Sequence, residues 1–151
     1  MNKSKGLARK ATAEGFTIIE LIVVIAIIAV LAAIILVSVT IYISRSKDAA
    51  IKSNINAIIT SAAVWFDNTD STYTGFTGDV GYTASEAAII NTGKVVTPAT
   101  AVDGSAFCAC ATLYDTTNGT FCADSSGYKK QTNTVCDARC NATTPTGVCA
   151  D

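Results

Sequence analysis

No side chain between Leu21 and Val37 carries a polar group, and the wider stretch from Phe16 to Ile43 holds one charge, Glu20. A bilayer is crossed by about 20 consecutive apolar residues in a helix. In lipid the backbone must satisfy its own hydrogen bonds, so a segment of this kind is helical. Neither glycine nor proline occurs between Phe16 and Asp67, and nothing breaks the helix where the oily run ends. Ser44-Arg45-Ser46-Lys47 reads as the exit from the membrane. Beyond it Ile51, Ile55, Ile58, Ala62 and Trp65 recur at helical spacing, with Ile59 and Phe66 widening the stripe. Lys47, Asp48, Lys52, Asn54 and Asn56 are assigned to the other faces. The spacing predicts one helix from about Thr17 to about Asp67, oily on all sides in its first half and amphipathic in its second.

Charge is distributed to match. Four of the eleven basic side chains (Lys3, Lys5, Arg9 and Lys10) and one of the twelve acids (Glu14) fall in Met1–Gly15. That leaves seven basic against eleven acidic side chains beyond it, a balance that argues against a general nucleic-acid surface. Basic residues before a span hold that end in the cytoplasm. An ordinary secretory signal places its apolar region before the cleavage site. Here the short basic segment comes first, then Gly15, then the apolar run.

Gly15, Phe16 and Glu20, in register with the basic segment and the oily run, match a G-F-T-x-x-E signature, and the chain here resembles the type IV prepilins and pseudopilins. The likeness is close over Gly15–Ile34. It implies that a membrane peptidase cuts after Gly15 and methylates the new amine of Phe16. It also implies that Glu20 of one subunit neutralises the Phe16 amine of its neighbour, which sets the axial register of a filament. Pairing of the two groups within one chain is the simpler arrangement before assembly. Many members carry glycine at the position of Ala29 and proline at that of Val37. Alanine and valine both permit an unbroken helix, so a straighter helix is expected here, and a minor pilin or pseudopilin fits better than a major subunit.

The expected domains are a leader (1–15), an apolar assembly helix (16–43), its amphipathic continuation (44–67) and a globular head (68–151). The fold class is α+β, with a small antiparallel sheet laid over the amphipathic half of the helix. Asn68-Thr69-Asp70-Ser71 ends the long helix. Thr83 with Glu86 suggests a capping box for a short helix over Ala84–Asn91, closed by Gly93. Val95–Thr97, ending at Pro98, Ala106–Tyr114, Thr120–Ala123 and Tyr128–Thr132 read as strands. Asp115–Gly119 reads as a hairpin connection, with Asn118-Gly119 as its turn signal.

Six cysteines, Cys108, Cys110, Cys122, Cys136, Cys140 and Cys149, fall in the last third of the chain. An even, clustered set outside the membrane fits a disulfide framework in an oxidising compartment. There is no histidine and no paired C-x2-C, which disfavours zinc. Cys108 and Cys110 share a strand face and do not suit each other. Either one reaching Cys122 across the hairpin, with Cys136, Cys140 and Cys149 closing the tail, is the expected arrangement. The segments Phe107–Leu113 and Phe121–Gly127 also resemble, more loosely, head segments of pseudopilin-like proteins.

Function follows from the span rather than the head. The first reading is a structural subunit with no cofactor that polymerises into a type IV pilus or a type II secretion pseudopilus. Its partners would be copies of itself, other pilins, the prepilin peptidase and an inner-membrane assembly platform with its ATPase. It would lie in the bacterial inner membrane before assembly, and in an extracellular pilus or periplasmic pseudopilus afterwards. Ala26, Ala29, Ala32 and Ala33 would let helices approach closely. The alternative is a membrane-anchored binding module, a minor or tip adhesin acting through its head. Catalysis has no support: no histidine, no nucleophile motif and no C-x-x-C pair is present. Asp115, Asp124 and Asp137 form a weak calcium candidate without EF-hand spacing; Lys129-Lys130 is a weak DNA candidate. Asn118 and Asn141 head sequons. Trp65, Phe66, Tyr73 and Phe76 are expected to pack as core.

Overall fold

The computed structural model describes residues 15–136, 140 and 147–149. The chain forms two units, residues 1–39 and 40–151. Helix α1, Ile18–Asn68, runs without a break through Ala29 and Val37, as expected in the absence of glycine and proline. In the first unit every described side chain of the helix is exposed.

The second unit holds the rest of α1, then α2 (Val80–Ile90), β1 (Val96–Thr100), β2 (Phe107–Thr112), β3 (Thr120–Asp124) and β4 (Lys129–Thr132), with short 3-10 turns at Phe76–Gly78 and Thr116–Asn118. The strands form one antiparallel sheet in the order β1-β2-β3-β4. Ile51, Ile55, Ile58 and Ala62 of α1 are buried together with Phe107, Ala109 and Ala111 of β2, Ala123 of β3 and Val96 of β1. Each buried isoleucine contributes about 1.5–3 kcal/mol through its loss of contact with water. Small side chains on the sheet leave room for the helix. The aromatic group packs as core: Phe66 stacks on Tyr73 at 4.6 Å between centroids, and Phe76 meets Phe107 edge-on at 5.0 Å.

The structure corrects several local expectations. Asp48 belongs to the packing face, three residues before Ile51, and is only 5% exposed. Helix α2 begins at Val80 rather than Ala84. Its cap is Asp79, whose carboxylate accepts from the Gly81 N–H at 2.7 Å. Thr83 and Glu86 lie inside the helix, and Glu86 accepts from the Tyr82 hydroxyl instead of closing a capping box. Gly81 is required by contact, because a Cβ there would sit 2.6 Å from the Ser61 hydroxyl on α1. Strand β1 continues through Pro98 to Thr100. It is an edge strand, where a missing N–H is tolerated. The hairpin connection Asp115–Gly119 between β2 and β3 is present as expected. The 3-10 turn Thr116–Asn118, capped by Asp115, spans it, and Gly119 adopts φ 70° with a Cβ position 2.1 Å from the Thr132 carbonyl.

The disulfides also differ from expectation. Cys108 bonds Cys140, Cys110 bonds Cys136 and Cys122 bonds Cys149. Cys110 and Cys122 are direct cross-strand partners, so Cys108, Cys110 and Cys122 line one sheet face and each takes a cysteine from the tail. Closing a bond across the hairpin would have left one strand cysteine facing three tail cysteines.

Candidate functional site

The segment that carries the expected processing chemistry begins at Gly15. Among the described residues nothing lies within 4 Å of a Cβ built on Gly15. Phe16 is 79% exposed. Lys3, Lys5, Arg9 and Lys10 lie outside the described residues.

Thr17 and Glu20 form a capping box at the start of α1. The Thr17 N–H donates to Glu20 Oε2 at 2.9 Å, and the Thr17 hydroxyl donates to the same oxygen at 2.7 Å. The Glu20 N–H in turn donates to Thr17 Oγ1 at 3.2 Å. The first N–H groups of a helix have no partner within it, and a Thr-x-x-Glu pair supplies reciprocal acceptors. The acid also lies at the positive end of the helix dipole. Both bonds to the carboxylate use Oε2, and among the described residues none reaches Oε1. The sequence contained this signal in the spacing Thr17-Ile18-Ile19-Glu20, but the reading of Glu20 as an intersubunit acid passed over Thr17.

Past Glu20 the side chains have no protein to cover them. Ile22, Ile25, Ile28, Leu31 and Ile35 are each more than half exposed. This helix is long and apolar enough to cross a membrane.

In the second unit the buried acid Asp48 gathers one loop. Its Oδ1 accepts from the Tyr114 N–H at 2.6 Å and the Asp115 N–H at 3.2 Å, and its Oδ2 accepts from the Asn118 side-chain amide at 2.7 Å. The charge is thereby spread over three donors, the condition for burying a carboxylate. The Lys47 ammonium lies 4.0 Å from the centre of the Tyr114 ring. The sequon asparagine Asn118 is thus committed to Asp48; Asn141 lies outside the described residues.

The weak calcium candidate is not assembled by the described part of the fold. Asp124 is 1% exposed and accepts from Ser126, Tyr128 and Cys149. Asp115 accepts from the N–H and hydroxyl of Thr117, which hold its carboxyl below the usual range. Asp137 lies outside the described residues. Among the described residues no three metal-ligating side chains converge. Lys129 and Lys130 lie exposed on edge strand β4.

Comparison with curated proteins and with solved structures gives no match. Residues 11–36 match the family described as the prokaryotic N-terminal methylation motif. That span covers Gly15, Phe16, the Thr17–Glu20 capping box and most of the exposed apolar helix. The chain therefore carries the leader signature of type IV prepilins and is type IV pilin-like at its N-terminus.

Proposed function

We propose that this protein is a structural subunit, stored in the membrane and polymerised into a type IV pilus or a type II secretion pseudopilus. The observation that carries the reading is the exposed apolar half of α1, most of which lies within the methylation motif. Those side chains need either lipid or other helices of their own kind, and a polymer core supplies the second. Leader removal would occur between Gly15 and Phe16, with methylation of the Phe16 amine.

Glu20 is the register residue in this proposal. Its Oε2 holds the first turn of its own helix, and its Oε1 is available to a neighbour's Phe16 ammonium. A charge-assisted hydrogen bond between them is strong where water is scarce. Each ion alone would be costly in lipid. The prediction is that Glu20→Ala leaves cleavage intact, read as the mass of the mature chain, while filament yield seen by negative-stain microscopy collapses. Normal filaments from that variant would remove the register role. Glu20→Gln retains the capping acceptor but not the charge, and so separates the two duties. Replacing Gly15 with a bulky residue should leave the chain at its unprocessed mass.

A further inference from the structure

A cavity of about 300 Å³ in the second unit is lined by Thr40, Ile41, Ser44 and Arg45 of α1 and by Asp115 and Asn118 of the β2–β3 connection. Thr40 and Ser44 are one helical turn apart, as are Ile41 and Arg45, so the helix presents two hydroxyls, one cation and one alkyl side chain to the same space. The connection adds one anion and one amide. In sequence the helical members of this group straddle the end of the apolar run, where a spanning helix would meet the lipid headgroups. Asp48 fixes the opposite wall, since it holds the Asp115 N–H and the Asn118 amide.

We propose that this cavity is a headgroup site for a zwitterionic phospholipid bearing a phosphate and a primary ammonium. Arg45 pairs with the phosphate through its fork of N–H donors, and the Ser44 and Thr40 hydroxyls are placed beside it. Asp115 takes the ammonium, whose three N–H bonds a quaternary headgroup lacks. The Thr117 hydroxyl and N–H hold the Asp115 carboxyl below its ordinary range, in agreement with an anionic role. The cavity is within the size range of small-molecule sites. A purely anionic lipid would satisfy Arg45 but bring no cation to Asp115, and a quaternary one would bring a cation with no N–H to donate to it. The proposal rests on the membrane-anchored reading of α1.

The test uses the full chain reconstituted with equimolar phosphatidylethanolamine, phosphatidylglycerol and phosphatidylcholine, with retained lipid counted by native mass spectrometry. The wild type should retain phosphatidylethanolamine severalfold over the other two. Arg45→Gln should lose that enrichment. Asp115→Asn preserves the acceptor for Thr117 but not the charge, so the loop stays folded while preference moves toward phosphatidylglycerol. Equal retention of the three lipids, or variants indistinguishable from wild type, would overturn the site. Binding of soluble glycerophosphoethanolamine with the same dependence on Arg45 and Asp115, but no enrichment of the lipid, would assign the cavity to a soluble ligand and also overturn it. Vesicle flotation keeps the underlying reading separate: a chain that floats with all three lipids but prefers none retains its anchor and loses only the headgroup site.

Discussion

The two faces of the four-stranded sheet are built by different means. Along β2 the side chains alternate, with Phe107, Ala109 and Ala111 on one side and Cys108 and Cys110 on the other. The first face is covered by regular structure bearing large hydrocarbons: Ile51, Ile55 and Ile58 from α1, Ile89 from α2, and the Phe76 and Tyr82 rings. On the second face the six cysteines gather with Ala99 and Tyr128, and among the described residues no large aliphatic side chain joins them. A head of this size buries a limited fraction of its surface. The helix face draws its cohesion from excluded water. The tail face draws it from three covalent bonds, because the tail brings little apolar area with which to hold itself.

Reduction gives the sharpest test of that contrast. Each disulfide, closing a loop of 26 to 32 residues, contributes about 3.5 kcal/mol by the chain-entropy estimate. Three together rival the whole stability of a small domain, about 5–15 kcal/mol. The chain in detergent micelles should lose its cooperative near-ultraviolet melting transition when a phosphine reductant is added, while the far-ultraviolet signal of α1 persists. A native-like melt after full reduction, verified by thiol counting, would show that the helix face suffices alone.

On the helix face the corresponding change is Ile55→Ala. Ile55 is fully buried, and removing its outer carbons leaves a cavity beneath the sheet. The expected loss is about 2–5 kcal/mol, read from urea unfolding of the oxidised chain. A loss below 1 kcal/mol would mean that the disulfides already hold this face as well. Asp48→Ala comes next. It strands the Tyr114 and Asp115 N–H groups and the Asn118 amide at one end of the same face. A stranded buried donor costs about 1–3 kcal/mol, and water entering from the nearby cavity places the effect toward the lower end. Amide exchange should accelerate at Tyr114 and Asp115 and stay unchanged in β4.

The hydrocarbon face was largely legible in the sequence, and the covalent one was not. Helical spacing named Ile51, Ile55, Ile58 and Ala62 before any coordinates, since a 3.6-residue period survives without tertiary information. Asp48 continues that period but was read by its charge, because burial of an acid depends on donors from a loop distant in sequence. Cysteine pairing failed for a similar reason: the even count signals disulfides, but partners are set by strand register and by the path of the tail. At the N-terminus, Gly15, Phe16 and Glu20 were readable as a motif. Thr17 was passed over, although the capping box needs no more than a three-residue interval. The start of α2 differs from expectation because Thr83 and Glu86 offer a cap by spacing, while Asp79, set between Gly78 and Gly81, reads as loop.

The smallest expected effect concerns the helix face at high pH. Tyr82 is buried against Phe76 and donates its hydroxyl to Glu86 at 3.1 Å. Burial first, then the negative charge of Glu86 and the hydrogen bond to it, push the phenol well above its ordinary range. The protonated phenol therefore persists in the folded chain at pH values where the unfolded chain has begun to ionise. The stability linked to this group is fully present below about pH 10, the ordinary tyrosine value, and falls as pH rises from there toward the folded pKa. Tyr82→Phe removes the titration while retaining the ring, so the difference in melting temperature between wild type and variant should be constant up to about pH 10 and then narrow. Rapid measurement is needed to avoid alkaline disulfide exchange. A difference that stays constant to pH 11.5 would show that the phenol is reached by water in the folded state, and that this end of the helix face is wetter than its packing indicates.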